Sequence, residues 1–206
     1  MPVPIEAYTA DGSFTGLVDV AGRLRDALET LDEVRVVQIQ GITLDGAAVA
    51  SATESVAVEG LLLVVPSEAD VPVHATWHAV TIDVGPYRLT GELPTMPGFD
   101  PGRALARPTG DFVHLRSVDI ALLDAPDAVV ASHEHLLVNR YAVDRVEAGL
   151  MLGFFFPGAH LEVRVRDEPG GPIAPSAADP SPPPAPPMPG TTPPDLGSPP
   201  VSAASG

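Results

Sequence analysis

The chain has no cysteine, which excludes disulfides, thiolate zinc sites, iron–sulfur clusters and cysteine nucleophiles. It has no lysine either, since all 11 basic residues are arginine. Schiff-base catalysis is therefore excluded, and the arginine bias fits a high-GC coding sequence. Basic charge is scarce: 27 acidic residues set the formal net charge at −16. That balance opposes condensation onto nucleic-acid phosphates or an anionic membrane surface, so neither is an expected partner. Aromatics make up 5% of the chain, so a core must be built from Val, Leu, Ile and Ala. Long apolar runs are missing. GLLLVV (60–65) and GLMLGFFFPGA (149–159) fall far short of the roughly 20 residues that span a bilayer. The opening MPVPIEAYTADG shows neither a positive n-region nor an apolar h-region, so a cytoplasmic protein is the expectation. No GxSxG, Walker-type glycine loop or dinucleotide fingerprint occurs. Carboxylate pairs such as Asp32-Glu33 and Asp124/Asp127 sit in turn-like contexts, where solvated caps outweigh acid/base dyads.

What the chain has in abundance is proline, 25 in 206 residues, and more than half of it lies beyond Asp167. From Pro169 onward only Asp179 and Asp195 are charged. Such a segment buries too little apolar surface to offset its ordering entropy, and residues 168–206 are expected to form a disordered, proline-rich tail. Its PSPPPAPPMP run carries PxxP spacings that suit an aromatic groove. It lacks the flanking basic residue that usually orients such ligands, so a spacer or solubilising role outweighs docking.

Upstream of the tail lies an internal repeat. FTGLVDVAGRLRDAL (14–28) aligns with LTGELPTMPGFDPGRAL (89–105), placing Thr15-Gly16 on Thr90-Gly91. EVRVVQIQGITL (33–44) aligns with DFVHLRSVDIAL (111–122), placing Ile42 on Ile120. AVASATESVAVEGLLLV (48–64) aligns with VVASHEHLLVNRYAVDRV (129–146), placing Val58 on Val138. Each copy reads as mostly β. Asp11-Gly12, Asp45-Gly46 and Gly85-Pro86 mark turns between extended segments. A short helix is expected in VAGRLRDALETLDE, with Leu24, Ala27, Leu28 and Leu31 on one stripe. The equivalent connection in the second copy, PTMPGFDPGRALARPTG, is too rich in Pro and Gly for a long helix.

These residues resemble an Sm-like domain, a small SH3-like barrel, in two tandem copies covering most of residues 3–147. IEAYTADGSFTGLVDV is similar to the family's opening strand, Asp-Gly turn and bent second strand. VAVEGLLLVV is similar to its closing segment, where a strand reaches a Gly and turns into the last strand. VNRYAVDRV holds that place in the second copy. The resemblance implies the barrel fold and possible assembly through strand edges. RNA-binding members would call for an Asp and Asn in the first motif and a basic residue before the Gly of the second. Here Asp19 has no Asn in register, and Glu59 stands in the basic position. The second copy offers Val138-Asn139-Arg140 without the Gly, so RNA binding is disfavoured.

Two histidines, His133 and His135, sit one residue apart in SHEHLLVNRYAV. Strand alternation with Leu136 and Val138 inward places both on the opposite, exposed face, side by side as a metal pair requires. A third ligand would have to come from His114, Asp119 or Glu134, and none is placed by local spacing. Solvated strand histidines therefore outweigh a metal site at His133/His135. His74 and His78 bracket Trp77 in a segment leading into a strand, and Trp77 is expected to pack one copy against the other. HLEVRVR (160–166) alternates as an additional strand. Phe154, Phe155 and Phe156 cannot all face one core, so an inter-domain or subunit contact is expected there.

The sequence thus predicts an all-β protein with minor α content: two tandem Sm-like/SH3-like barrels at residues 1–70 and 71–148, an additional C-terminal strand at 149–167, and a disordered tail at 168–206. The expected function is non-enzymatic: an interaction or scaffold protein, without cofactor, that self-associates or binds a protein partner through strand edges and the tail. The alternative is a small-ligand or metal-binding module using His133 and His135.

Overall fold

Asp11 and Gly12 reverse the chain between β1 (Pro2–Thr9) and β2 (Gly12–Asp19), as a short loop between alternating segments favours. The computed structural model describes residues 2–68, 74–95 and 110–164, and these belong to one compact unit. The predicted helix forms as α1 (Leu24–Thr30), burying Leu24, Ala27 and Leu28. Leu31 lies beyond the helix end and is exposed. β3 (Glu33–Thr43) and β4 (Ala48–Ala57) flank the Asp45-Gly46 turn. A 3-10 turn at Val58–Gly60 then leads into the short β5 (Leu63–Val65).

The second half repeats this order. β6 (Thr76–Val84) and β7 (Tyr87–Thr95) flank Gly85-Pro86. β8 (Phe112–Leu122), β9 (Ala125–Asn139) and β10 (Val143–Ala148) follow. The predicted additional strand is β11 (His160–Val163), which pairs parallel to β10. Among the described residues all strands join one eleven-stranded sheet in the order β11-β10-β6-β7-β8-β9-β5-β1-β2-β3-β4. The described residues are therefore all-β with one short α-helix. No helix among the described residues is long and apolar enough to cross a membrane. The predicted tail, 168–206, lies outside the described residues.

The two halves agree in pairing register as well as in strand order. Leu17 lies opposite Val37 and Thr15 opposite Gln40, with a register break between them. Glu92 lies opposite Arg116 and Thr90 opposite Asp119, with the same break. Inside each break a glycine on one strand faces a left-handed residue on the other: Gly16 with Gln38 (φ 56°), and Gly91 with Ser117 (φ 49°). Crowding favours glycine at both positions, more severely at Gly16. A Cβ on Gly16 would stand 2.5 Å from Val36 Cγ1, and one on Gly91 3.0 Å from Val118 Cγ2.

The bulges change which side of the strand meets the core. Val34 and Val36 before Gln38, and Ile39 after it, all enter the same core. Val113 and Leu115 before Ser117, and Val118 and Ile120 after it, do likewise in the other. In an unbroken strand those pairs would point to opposite faces. The ladders also move the repeat alignment. Val34 pairs with Val56 and Val113 with Val138, so the counterpart of Val138 is Val56 rather than Val58.

The seam between halves is β5, held between β1 and β9. Leu63 pairs with Tyr8 on one side and Val138 on the other. The cores exchange members across this seam. Tyr8, Leu62 and Leu63 belong to the core of the second half, whereas Phe112 and Leu137 belong to that of the first. Each such side chain contributes about 1.5–3 kcal/mol by leaving water, and each does so in the core of the other half.

Candidate functional site

The sheet has two unlike ends. At one end β11 is four residues long and its neighbourhood is charged. Arg145 bonds Glu162 at 2.5 Å, Arg88 pairs with Asp83 at 2.7 Å, and Arg164 pairs with Glu147. Short length and charge are the usual defences of a sheet edge. At the other end stands β4, ten residues long and exposed along most of its length. Its sequence AVASATESVA contains no proline and no basic residue, and Glu54 is its only charge. Among the described residues no strand pairs with its outer side. β4 is an undefended edge.

A groove of about 460 Å³ runs beside β4. Phe14, Ile39, Ile42, Val49 and Val56 line its apolar part, and Thr9–Ser13 and Glu54 supply polar groups. Ile42 and Val49 are 58% and 45% exposed, as open as Val129 and Val130 on β9. In the second half the positions in equivalent register include Val84, Tyr87, Leu89, Val118 and Val138. There they are covered by Tyr8, Leu62 and Leu63. Tyr8 meets the Tyr87 ring edge-on at 5.6 Å. Gly85 (φ 52°) leaves room for Leu62, whose Cδ1 would otherwise lie 2.6 Å from a Cβ. The same architecture therefore occurs once filled and once open.

The histidines lie near the filled seam. Val118 pairs with His133 and Arg116 with His135. Because Ser117 changes the face, His133 shares the side of core residue Val118 and is half-buried, with 14% of its side chain exposed. This corrects the expectation of two rings on one wet face, which extended a two-residue period through the bulge. Tyr8 Oη donates to Glu6 Oε1 at 2.9 Å and lies 2.9 Å from His133 Nε2. The phenol has one proton, so when it is given to Glu6 the His133 Nε2–H must be the donor to Tyr8. Burial, then Glu6, push the Tyr8 hydroxyl well above the usual phenol range. His135 instead meets His114, Nδ1 to Nε2 at 3.1 Å. The His-x-His pair is thus divided between two sets of partners. Among the described residues no group of three or more His, Cys, Asp or Glu side chains is placed to hold a metal ion.

Trp77 meets Arg116 and His114 of its own half. The Arg116 guanidinium lies 3.9 Å from its ring centroid, His114 meets it edge-on at 6.3 Å, and Glu92 holds Arg116 at 2.6 Å. The phenylalanine run splits as its chemistry requires: Phe155 and Phe156 enter the second core, and Phe154 is exposed. His78 bonds Thr95 Oγ1 at 2.9 Å. Asn139 and Arg140 hold main chain. Asn139 Nδ2 donates to Leu61 O at 3.2 Å and Arg140 to the carbonyls of Gly110 and Phe154.

The open groove was not among the sites expected from the sequence. The available signal was the contrast between GITL…VAS in the first copy and the better-filled DIAL…VAS in the second. No protein-family model matches the chain, and neither a curated protein nor a solved structure is significantly similar to it.

Proposed function

We propose that the chain is a non-enzymatic interaction protein, built of two tandem Sm-like/SH3-like units, that associates with a strand of its own kind or of a protein partner through the open edge β4. The observation that carries this reading is the pairing of β5 with β9 at the seam. Val64 lies opposite Leu137 and Leu63 opposite Val138, and the register puts Ser55 and Val56 of β4 in the places of Leu137 and Val138. An edge that takes a strand in one half stands open in the other. The repeated strand order and the matched bulges support the tandem-unit reading. The proline-rich tail fits a spacer that tethers the module without pairing to it, because proline has no N–H for a ladder.

Sedimentation of the full chain over a wide concentration range, alone and with candidate partners, tests the reading. Association that a charge placed on β4, as in Thr53→Lys, abolishes is the expected result. A strict monomer whose every complex survives Thr53→Lys contradicts it.

A further inference from the structure

We infer that the groove beside β4 receives an extended, apolar segment of another protein, added antiparallel to β4 with large aliphatic or aromatic side chains seated against Phe14, Ile42 and Val49. This deepens the proposed function and rests on it, naming the kind of strand the edge takes. The template is within the molecule. At the seam, the LLLVV segment supplies Leu62 and Leu63 to the second core, and Tyr8 joins them. Leu62 N donates to Tyr8 O and Asn139 N to Leu62 O, each at 2.9 Å, so main chain fixes the register while the side chains fill the space.

Three other occupants fit the groove less well. A second copy joining head to tail would have to offer β10. Register places Arg145 where Leu63 stands and Asp83 where Tyr8 stands, since Tyr8 pairs with Leu63 and Asp83 with Arg145. Those are ion-paired charges, and β11 already occupies the outer side of β10. Two copies joined β4 to β4 would pair their backbones, yet AVASATESVA brings no side chain the size of Leu62 or Tyr8 into either groove. The chain's own PSPPPAPPMP run lacks the N–H donors a ladder needs. β11 and the charges around β10 therefore stop the sheet at one end, and the other end accepts a foreign strand.

The probe is a labelled peptide of residues 59–68, EGLLLVVPSE, titrated into the full chain with fluorescence polarisation as the readout. A control peptide carries proline at the positions of Leu63 and Val64. Saturable binding by the first peptide, at least tenfold weaker for the control and at least tenfold weaker for Ile42→Glu/Val49→Glu, is expected. Both substituted positions are exposed, and circular dichroism checks their folding. Val163→Glu on β11, also exposed, should bind as the unsubstituted chain does. If the peptide does not bind but the chain dimerises through β4, the inference is overturned and the proposed function stands. If there is neither binding nor dimerisation, and every complex the chain forms survives Thr53→Lys, both fall. Binding that survives Ile42→Glu/Val49→Glu but is lost in Val163→Glu also overturns the inference.

Discussion

The Tyr8 ring of β1 stands 5.6 Å from the Tyr87 ring of β7, edge to face at 84°, so the first strand of one half closes the core of the other. Aromatic pairs of this geometry add about 0.5–1.5 kcal/mol beyond their area. The consequence is cooperativity. Leu63→Ala, at a fully buried seam position, should destabilise by about 2–5 kcal/mol, and both halves should unfold together. Denaturant titration followed by Trp77 fluorescence and by far-UV circular dichroism checks this. Coincident curves are expected, whereas separate transitions would mean that the halves are independent.

The two seam tyrosines should respond oppositely to loss of their hydroxyls. Tyr8 Oη bonds Glu6 and His133, so Tyr8→Phe should cost about 1–2 kcal/mol. Tyr87 Oη is buried without a hydrogen-bond partner among the described residues, so Tyr87→Phe should be neutral or stabilising. Equilibrium unfolding of the two variants decides, and a larger loss for Tyr87→Phe would contradict the assignment.

Burial, and then Asp11, push the Tyr87 hydroxyl up to about 12. A phenol whose value is raised on folding stays protonated in the folded state while the unfolded chain ionises. Its contribution is complete below the unfolded value of about 10 and is lost as pH rises through about 12. Stability should therefore fall above about pH 10, less steeply in Tyr87→Phe. Unfolding midpoints measured from pH 8 to pH 11 test the sign.

Gln38 and Ser117 carry positive φ inside equivalent bulges, which costs a non-glycine residue about 1–2 kcal/mol. Ser117→Gly should leave stability unchanged or raise it by up to about 1 kcal/mol, and Ser117→Val should lower it by about 1–3 kcal/mol. Gly91→Val should be more damaging than either, because its Cβ would crowd Val118 Cγ2 at 3.0 Å and Arg116 O at 3.1 Å. Thermal midpoints of the three variants give the order.

At the closed end, the Arg164 hydrogen bond holds the Glu147 carboxyl below its usual range. A lowered carboxyl value contributes stability above the unfolded value of about 4.3 and loses it as pH falls through the folded value. β11 should loosen from β10 in acid while the seam persists. NMR chemical shifts of residues 160–164 followed from pH 6 to pH 3 would show it, and shifts that stay constant through that range would contradict it.

Turn residues and alternation carried the strand order in the sequence: Asp11-Gly12, Asp45-Gly46 and Gly85-Pro86 each stand between strands that pair. The duplication was legible through Thr15-Gly16 and Thr90-Gly91, the glycines of the two bulges. What alternation missed is the left-handed residue opposite each glycine. Gln38 and Ser117 are ordinary residue types with no sequence signature for that conformation, and each reverses the face of the strand beyond it. His133 was therefore assigned to water when it meets Tyr8. The exchange of Tyr8, Leu62 and Leu63 between cores was hidden for a different reason. Apolar pattern marks a side chain as buried without naming the core that buries it. The open groove was hidden likewise, because Ile42 and Val49 look like core residues until no strand covers them.

The central claim is that association runs through β4 and leaves the β10–β11 end unchanged. Amide hydrogen exchange of the full chain, read by mass spectrometry with and without the EGLLLVVPSE peptide and across protein concentration, tests it most directly. Slowed exchange confined to residues 48–57 and the neighbouring 9–14 is the predicted result. Slowing at residues 143–148 and 160–163, with β4 unchanged, would contradict it.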